Sequence, residues 1–133
     1  MTHDTVTEDS IVALVDAFYA KVRRDPAIGP LFDRVIGDNW DAHLPRMYAF
    51  WSSVLLGTRR YRGNPMAVHQ ALPAFPAAFF DVWLGLFAET AAELFAPALA
   101  DDIAGRARRI AESLKLGLYY RPAEADAART GPA

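Results

Sequence analysis

The chain has 133 residues, 53% of them hydrophobic and 23% charged, which predicts one folded domain with a packed core and excludes general disorder. The formal net charge is -2 and no dense run of lysine and arginine occurs, so we expect no nucleic-acid partner. Cysteine is absent, and this excludes disulfides, thiolate catalysis and metal sites built on cysteine.

A first helix is predicted over residues 11–22, where apolar side chains recur at helical spacing. Asp9 or Ser10 is the expected cap at its start. Asp25 marks its end, because a residue that precedes a proline avoids the α region. The glycine-containing and proline-containing stretch 27–38 is predicted to form short turns.

A second helix is predicted over residues 39–56, lined by apolar side chains. Gly57 is expected to end it, since glycine takes the left-handed conformation that closes many helices. Pro45 is tolerated only in a first turn, so we expect the regular helix to begin near His43.

The second half of the chain is also predicted to be helical. A two-turn helix is expected over residues 65–72 and is closed by Pro73, while Pro97 separates two long helices over 75–96 and 98–120. Strand-like alternation is lacking, so the predicted fold class is all-α.

The whole chain, residues 1–133, is predicted to be one domain with an ordered core over about 9–120. Residues 121–133, and those before about residue 8, lack apolar periodicity and are expected to be flexible. The acidic start lacks the basic and apolar parts of a signal peptide, and no uncharged apolar run is long enough to cross a membrane. We therefore expect a cytoplasmic location and no membrane partner.

Of the three histidines, His69 is the candidate metal ligand, and His3 lies in the N-terminal tail. The imidazole of His69 is expected to donate its Nδ1–H to the carbonyl of Pro65 or Met66 and to turn Nε2 outward as a ligand. A core histidine bonded to a backbone carbonyl is the alternative interpretation, and the local pattern alone favours this alternative.

A lone histidine suits haem better than zinc, because zinc takes three or four protein ligands and no paired motif such as HExxH is present. A porphyrin supplies the other ligands itself, and it needs a large apolar slot. Aromatic side chains are available to wall such a slot, namely Phe32, Phe50, Trp51, Phe79, Phe80, Trp83 and Phe87.

Polar groups are also expected in this slot. Tyr19, His43 and Trp83 lie on inward helix faces and offer one O–H and two N–H donors to bound dioxygen, which carries partial negative charge. The expected partners of the haem propionates are Arg46, Tyr61 and Arg62. The alternative for each is an ordinary core residue whose polar tip meets a carbonyl or, for the arginines, a solvated surface side chain.

Together these residues resemble the truncated haemoglobins, bacterial-type globins whose helices pack as a two-on-two sandwich around haem, and within them group III. The resemblance extends over about 11–120 and rests on stretches 18–26, 30–32, 50–51 and 61–69. The last stretch carries the most specific pattern, Tyr-x-Gly-x-Pro-Met-x-x-His. The glycine pairs that end helices in other groups are missing, which is also similar to group III.

The resemblance implies a haem b cofactor with His69 as the proximal iron ligand and Tyr19, His43 and Trp83 around the bound gas. It places Phe32 against the haem edge and makes Phe50 and Trp51 the aromatic pair behind the distal side. With the residues above, the expected cofactor-binding set is Phe32, Arg46, Met47, Phe50, Trp51, Tyr61, Arg62, Met66, His69, Phe79 and Trp83.

The leading functional hypothesis is a haem protein that reversibly binds dioxygen, nitric oxide or carbon monoxide at an iron held by His69. The alternative is a haem enzyme, with either peroxidase-like activity on peroxide or nitric oxide dioxygenase activity. No residue pattern names the substrate or the reductase that such an enzyme would use. A third hypothesis is an all-α interaction domain without haem, whose aromatic residues are only core.

Overall fold

The computed structural model describes residues 2–119. Six helices form this part: α1 (Glu8–Arg24), α2 (Gly29–Ile36), α3 (Trp40–Leu56), α4 (Pro65–Gln70), α5 (Ala78–Leu94) and α6 (Pro97–Tyr119). Within these residues the only extended pairing is a single β-bridge between His3 and Phe95, so the all-α prediction is confirmed. The tail expected over 121–133 lies outside the described residues.

The start of α1 differs from the prediction, because Thr7 is the cap instead of Asp9 or Ser10. The Thr7 hydroxyl accepts the Ser10 N–H at 3.0 Å, and the Ser10 hydroxyl accepts the Thr7 N–H at 2.8 Å. This reciprocal pair satisfies two amides that a helix start leaves without partners, so the helix begins before the first apolar residue of its periodic face.

The N-terminal residues make contacts that the sequence did not predict. The His3 amide donates to the Leu94 carbonyl at 2.8 Å, and the His3 carbonyl accepts the Ala96 amide at 2.9 Å. The His3 ring lies 5.5 Å from the ring of Phe95, centroid to centroid. The partners of His3 are about ninety residues away in sequence, so no local pattern around it could predict this attachment.

The prediction of turns over residues 27–38 is wrong, because most of this stretch is helix α2. Pro30 occupies the first turn of α2, where the missing N–H of a proline has no helical partner to lose. Gly37 closes the helix with a positive φ of 57°, a conformation that favours glycine. Leu31 and Ile36 point inward and are buried, so packing against the core stabilises this short helix.

The expected start of the next helix near His43 is also wrong. Helix α3 begins at Trp40 and continues through Pro45, which removes the N–H that would bond the carbonyl of Asp41. Asp41 is exposed, so water can bond its carbonyl instead. Gly57 ends α3 in the left-handed conformation, as predicted.

The remaining helices are close to the predicted ones. Helix α4 is six residues long and stops before Pro73, while α5 begins at Ala78, three residues later than expected. Pro97 is the first residue of α6 and not a separator, because the first helical position needs no N–H.

Four long helices, α1, α3, α5 and α6, form the body of the described chain. Helix α1 packs against α2, α3 and α5, α5 packs against α6, and α4 packs against α6. The fully buried centre comes from three of them: Ile11, Leu14, Val15 and Phe18 of α1, Phe87 and Ala91 of α5, and Ile103 and Ala107 of α6. Full burial of each large apolar side chain stabilises the fold by about 1.5–3 kcal/mol. Between residues 2 and 119, no helix combines the length and apolar character that crossing a membrane requires.

Candidate functional site

A cavity of about 440 Å³ lies between the helices, and all six contribute to its wall. Its volume falls within the range of about 300–1,000 Å³ that is typical of small-molecule and cofactor pockets. Most of the wall is apolar or aromatic, with polar groups at a few positions. The cavity therefore has the character of a cofactor site and not of a packing defect.

Most of the predicted site residues meet in this cavity. The wall includes Tyr19, Phe32, His43, Arg46, Met47, Phe50, Trp51, Tyr61, His69, Phe79 and Trp83. Arg62 is exposed and is not part of the wall. Met66 also lies outside it, because its side chain packs beside α6, in the cluster formed around Phe80, Ala111 and Leu114.

His69 is held in one tautomer by its own helix. Its Nδ1 lies 2.7 Å from the carbonyl oxygen of Pro65, the residue one turn earlier in α4. A carbonyl oxygen only accepts, so Nδ1 carries the proton and donates it, and Nε2 of the neutral ring keeps its lone pair. Asn64 caps the same helix by accepting the Ala67 amide at 3.1 Å. A backbone bond on one ring nitrogen is how proteins orient a histidine whose other nitrogen binds a metal.

Tyr19 and His43 lie side by side on another part of the wall, with ring centroids 5.2 Å apart and perpendicular planes. Burial raises the pKa of the Tyr19 phenol well above its ordinary value, so this group keeps its proton. Burial and, second, the positive charge of Arg46 lower the pKa of the His43 imidazole. Nε2 of His43 is buried and meets no hydrogen-bond partner among residues 2–119. The pair therefore presents neutral polar groups to whatever occupies the cavity.

Trp83 and Trp51 are supported by a stack of aromatic rings. Phe87 was predicted to wall the cavity, but it is fully buried and is not among the lining residues. It stacks on Trp51 at 4.6 Å and on Trp83 at 5.5 Å between centroids. The edge of Phe18 meets Trp83 at 5.5 Å. Stacked and edge-on aromatic contacts of this kind fix ring orientation as well as position. Phe87 is thus a support for two wall residues.

Two further edges of the cavity are built from ring pairs in edge-to-face contact. Phe32 meets Tyr19 at 5.9 Å, and Phe50 meets Tyr61 at 5.2 Å between centroids. The Tyr61 amide donates to the Ser53 hydroxyl at 2.9 Å, which ties the loop after α3 to that helix. Tyr61 and the exposed Arg46 add polar groups to this part of a mostly apolar wall.

Several residues of the cavity wall were not predicted from the sequence. Helix α2 contributes Leu31, Val35 and Ile36, and the chain between α4 and α5 contributes Leu72 and Phe75. The spacing of Leu31, Val35 and Ile36 is itself helical, and it was the available signal for α2. For Leu72 and Phe75 the local pattern holds no such signal, because the position of the chain between α4 and α5 depends on its contacts with α6, such as the bond between Tyr119 and Phe75.

An all-helical fold around a mostly apolar, aromatic cavity is typical of the globin class. The profile of the bacterial-like globin family matches residues 3–114, and the chain belongs to that family. The group 3 truncated haemoglobin of Campylobacter jejuni is 37% identical to it over 122 residues, which is 90% of this chain and 96% of that protein.

A crystal structure of the group III truncated haemoglobin from Campylobacter jejuni has the same fold. It matches this chain with a TM-score of 0.86 and 36% sequence identity, covering 90% of this chain and 97% of the other. Within the globin family the chain is therefore similar to group III truncated haemoglobins, as its sequence pattern suggested. Membership of a globin family implies haem binding and the binding of small gaseous ligands.

Proposed function

We propose that the cavity holds one haem b, that Nε2 of His69 is the protein ligand to its iron, and that the protein reversibly binds dioxygen or another diatomic gas. The observation that carries this proposal is the 2.7 Å contact between His69 Nδ1 and the Pro65 carbonyl oxygen. It leaves Nε2 as the ring nitrogen that can bind a metal, on the wall of a cavity of cofactor size.

The residues present suit haem better than a metal ion held by protein alone. Among residues 2–119 no group of three or more histidine, cysteine, aspartate or glutamate side chains could hold a metal. A macrocycle needs only an axial side chain and an apolar slot, and His69 and the aromatic wall supply both. When bound, haem supplies an iron centre at which a small ligand can coordinate.

The chain's own residues set the surroundings of that ligand. The Tyr19 hydroxyl and the Trp83 indole N–H are hydrogen-bond donors, and the neutral His43 ring is a donor or an acceptor according to its tautomer. The apolar wall keeps the local dielectric low, so each such bond acts more strongly than it would in water. Arg46 and Tyr61 line the cavity and suit the propionate groups, whereas Arg62 lies outside the wall.

The proposal is tested by the absorption and resonance Raman spectra of the reduced, haem-loaded protein. We expect an iron–histidine stretching band in the wild type, its loss in His69→Gly, and its replacement by a new band when imidazole is added. His3→Ala is the matched control, because His3 contacts Phe95 and not the cavity, and it should leave the spectrum unchanged. A His69→Gly protein with the spectrum of the wild type would refute the assignment.

A peroxidase-like activity is a second candidate, and the environment of His43 favours it. A buried imidazole with a lowered pKa and an unpartnered Nε2 can accept a proton from hydrogen peroxide at neutral pH. If this activity exists, peroxide turnover should exceed that of free haem and should fall in His43→Leu. Turnover equal to that of free haem would leave gas binding as the function. Nitric oxide turnover with a chemical reductant separates the dioxygenase alternative in the same way.

A further inference from the structure

The segment that carries His69 has few contacts with the rest of the protein. Helix α4 is only six residues long, and no helix is formed between it and the start of α5 at Ala78. Helix α4 has α6 as its main packing partner. A helix of this length has little stability of its own, so contacts outside it must fix its position.

We propose that the last turn of α6, residues 117–119, positions α4 and, through it, the Nε2 atom of His69. The inference rests on the proposed role of His69 as the iron ligand. Two contacts carry it, one on each side of His69 along the chain.

The first contact is between Gly117 and Met66. A Cβ atom at Gly117 would overlap the Sδ and Cε atoms of Met66, so the methionine side chain lies directly on the backbone of α6. Gly117 has no positive φ and needs no special backbone conformation, so the role of glycine here is to leave space for the Met66 side chain. The flexible thioether of Met66 fills that room.

The second contact is between Tyr119 and Phe75, in the connection that follows α4. The Tyr119 hydroxyl donates to the Phe75 carbonyl oxygen at 2.7 Å. The Tyr119 ring also meets the rings of Phe75 and Phe80 edge-on, each with a centroid distance of 6.3 Å. The chain is thus held at Met66 before His69 and at Phe75 after it.

Because of the geometry of a helix, the contact at Met66 also limits the orientation of the His69 ring. Residues at positions i and i+3 are neighbours on a helix surface, so Met66 and His69 share one side of α4. A fixed Met66 limits rotation of α4 about its axis, and that rotation sets where Nε2 points. The bond from Nδ1 to Pro65 cannot do this alone, because Pro65 belongs to the same helix and rotates with it.

The test compares Gly117→Ala, Met66→Ala and the double variant with Gly85→Ala as the matched control. Gly85 is exposed within α5, and a Cβ atom there meets nothing within 4 Å. The readouts are the rate of hemin transfer to an excess of a haem-scavenging apoglobin, the iron–histidine stretching frequency, and amide hydrogen exchange of a peptide covering 65–72.

We expect Met66→Ala to speed hemin loss and α4 exchange by about threefold to tenfold, because it removes a half-buried contact. Gly117→Ala should change both rates in the same direction but by less, because the added methyl meets the flexible end of Met66, which can partly move aside. The iron–histidine band should shift or broaden in both. The double variant should be no worse than Met66→Ala, because both changes break the same contact. Gly85→Ala should match the wild type in all three measurements.

Two results would overturn the inference: an unchanged band and exchange rate in Gly117→Ala, or fully additive effects in the double variant. Failure of the proposed function gives a different result, since the wild type itself would then lack the iron–histidine band. In that case, unchanged α4 exchange in the variants would show that the contact between Gly117 and Met66 does not position α4. Faster exchange would support the role of this contact in positioning α4 but would show that it does not act on an iron ligand.

Discussion

The substitution Gly29→Ala tests whether close contact between α1 and α2 shapes one edge of the cavity. Gly29 is buried at the start of α2, and a Cβ atom there would lie 3.0 Å from the carbonyl oxygen of Val22 and 3.1 Å from that of Arg23. Both oxygens belong to the backbone of α1 and cannot rotate away. The added methyl must therefore push α2 outward, with Phe32 on it.

Overpacking of this kind costs about 1–3 kcal/mol, and the helix preference of alanine returns at most about 0.5–1 kcal/mol. We expect a net loss of up to about 2.5 kcal/mol in the free energy of unfolding, which for a chain of this length lowers Tm by up to about 10 °C. The control is Gly85→Ala, where open space predicts an unchanged or slightly higher Tm. Thermal and urea unfolding measure both variants. A Gly29→Ala protein that melts at or above the wild-type temperature would refute the steric argument.

Two further predictions concern the polar wall. Because burial and Arg46 lower the pKa of folded His43 below its unfolded value of about 6.5, the unfolded chain binds more protons in acid, and stability falls as the pH drops through that value. His43→Gln should flatten the fall in Tm between about pH 7 and pH 5, and parallel curves would contradict this. Tyr19→Phe should speed dioxygen release from the reduced haem protein by roughly tenfold, because it removes one hydrogen bond to the bound ligand. Flash photolysis or stopped flow measures this rate, and an unchanged rate would show that Tyr19 does not bond the ligand.

The parts of the fold that were predictable depend on interactions between near neighbours in sequence. The apolar spacing from Ile11 to Val22, the Gly57 terminus and the carbonyl of Pro65 one turn before His69 are all local, and each has the predicted structure. Local steric rules and the helical repeat apply wherever the chain goes, so they need no knowledge of the tertiary fold.

Helix α2 shows where local signals mislead. Glycine and proline usually mark turns, so their presence in residues 27–38 predicted short turns there. Pro30 instead starts a helix, because burial of Leu31 and Ile36 against the core outweighs the weak helix preference of so short a segment. The partners that provide this burial belong to other elements of the chain.

Residue chemistry and the helical repeat are written in the order of the chain, so they were enough to predict a helical protein and to make His69, Tyr19, His43 and Trp83 candidate site residues. The folded protein adds that these side chains share one cavity, that Phe87 supports its wall from behind, and that α4 packs mainly against α6. Such facts depend on contacts between residues far apart in sequence, and packing of whole helices, not local preference, selects those contacts.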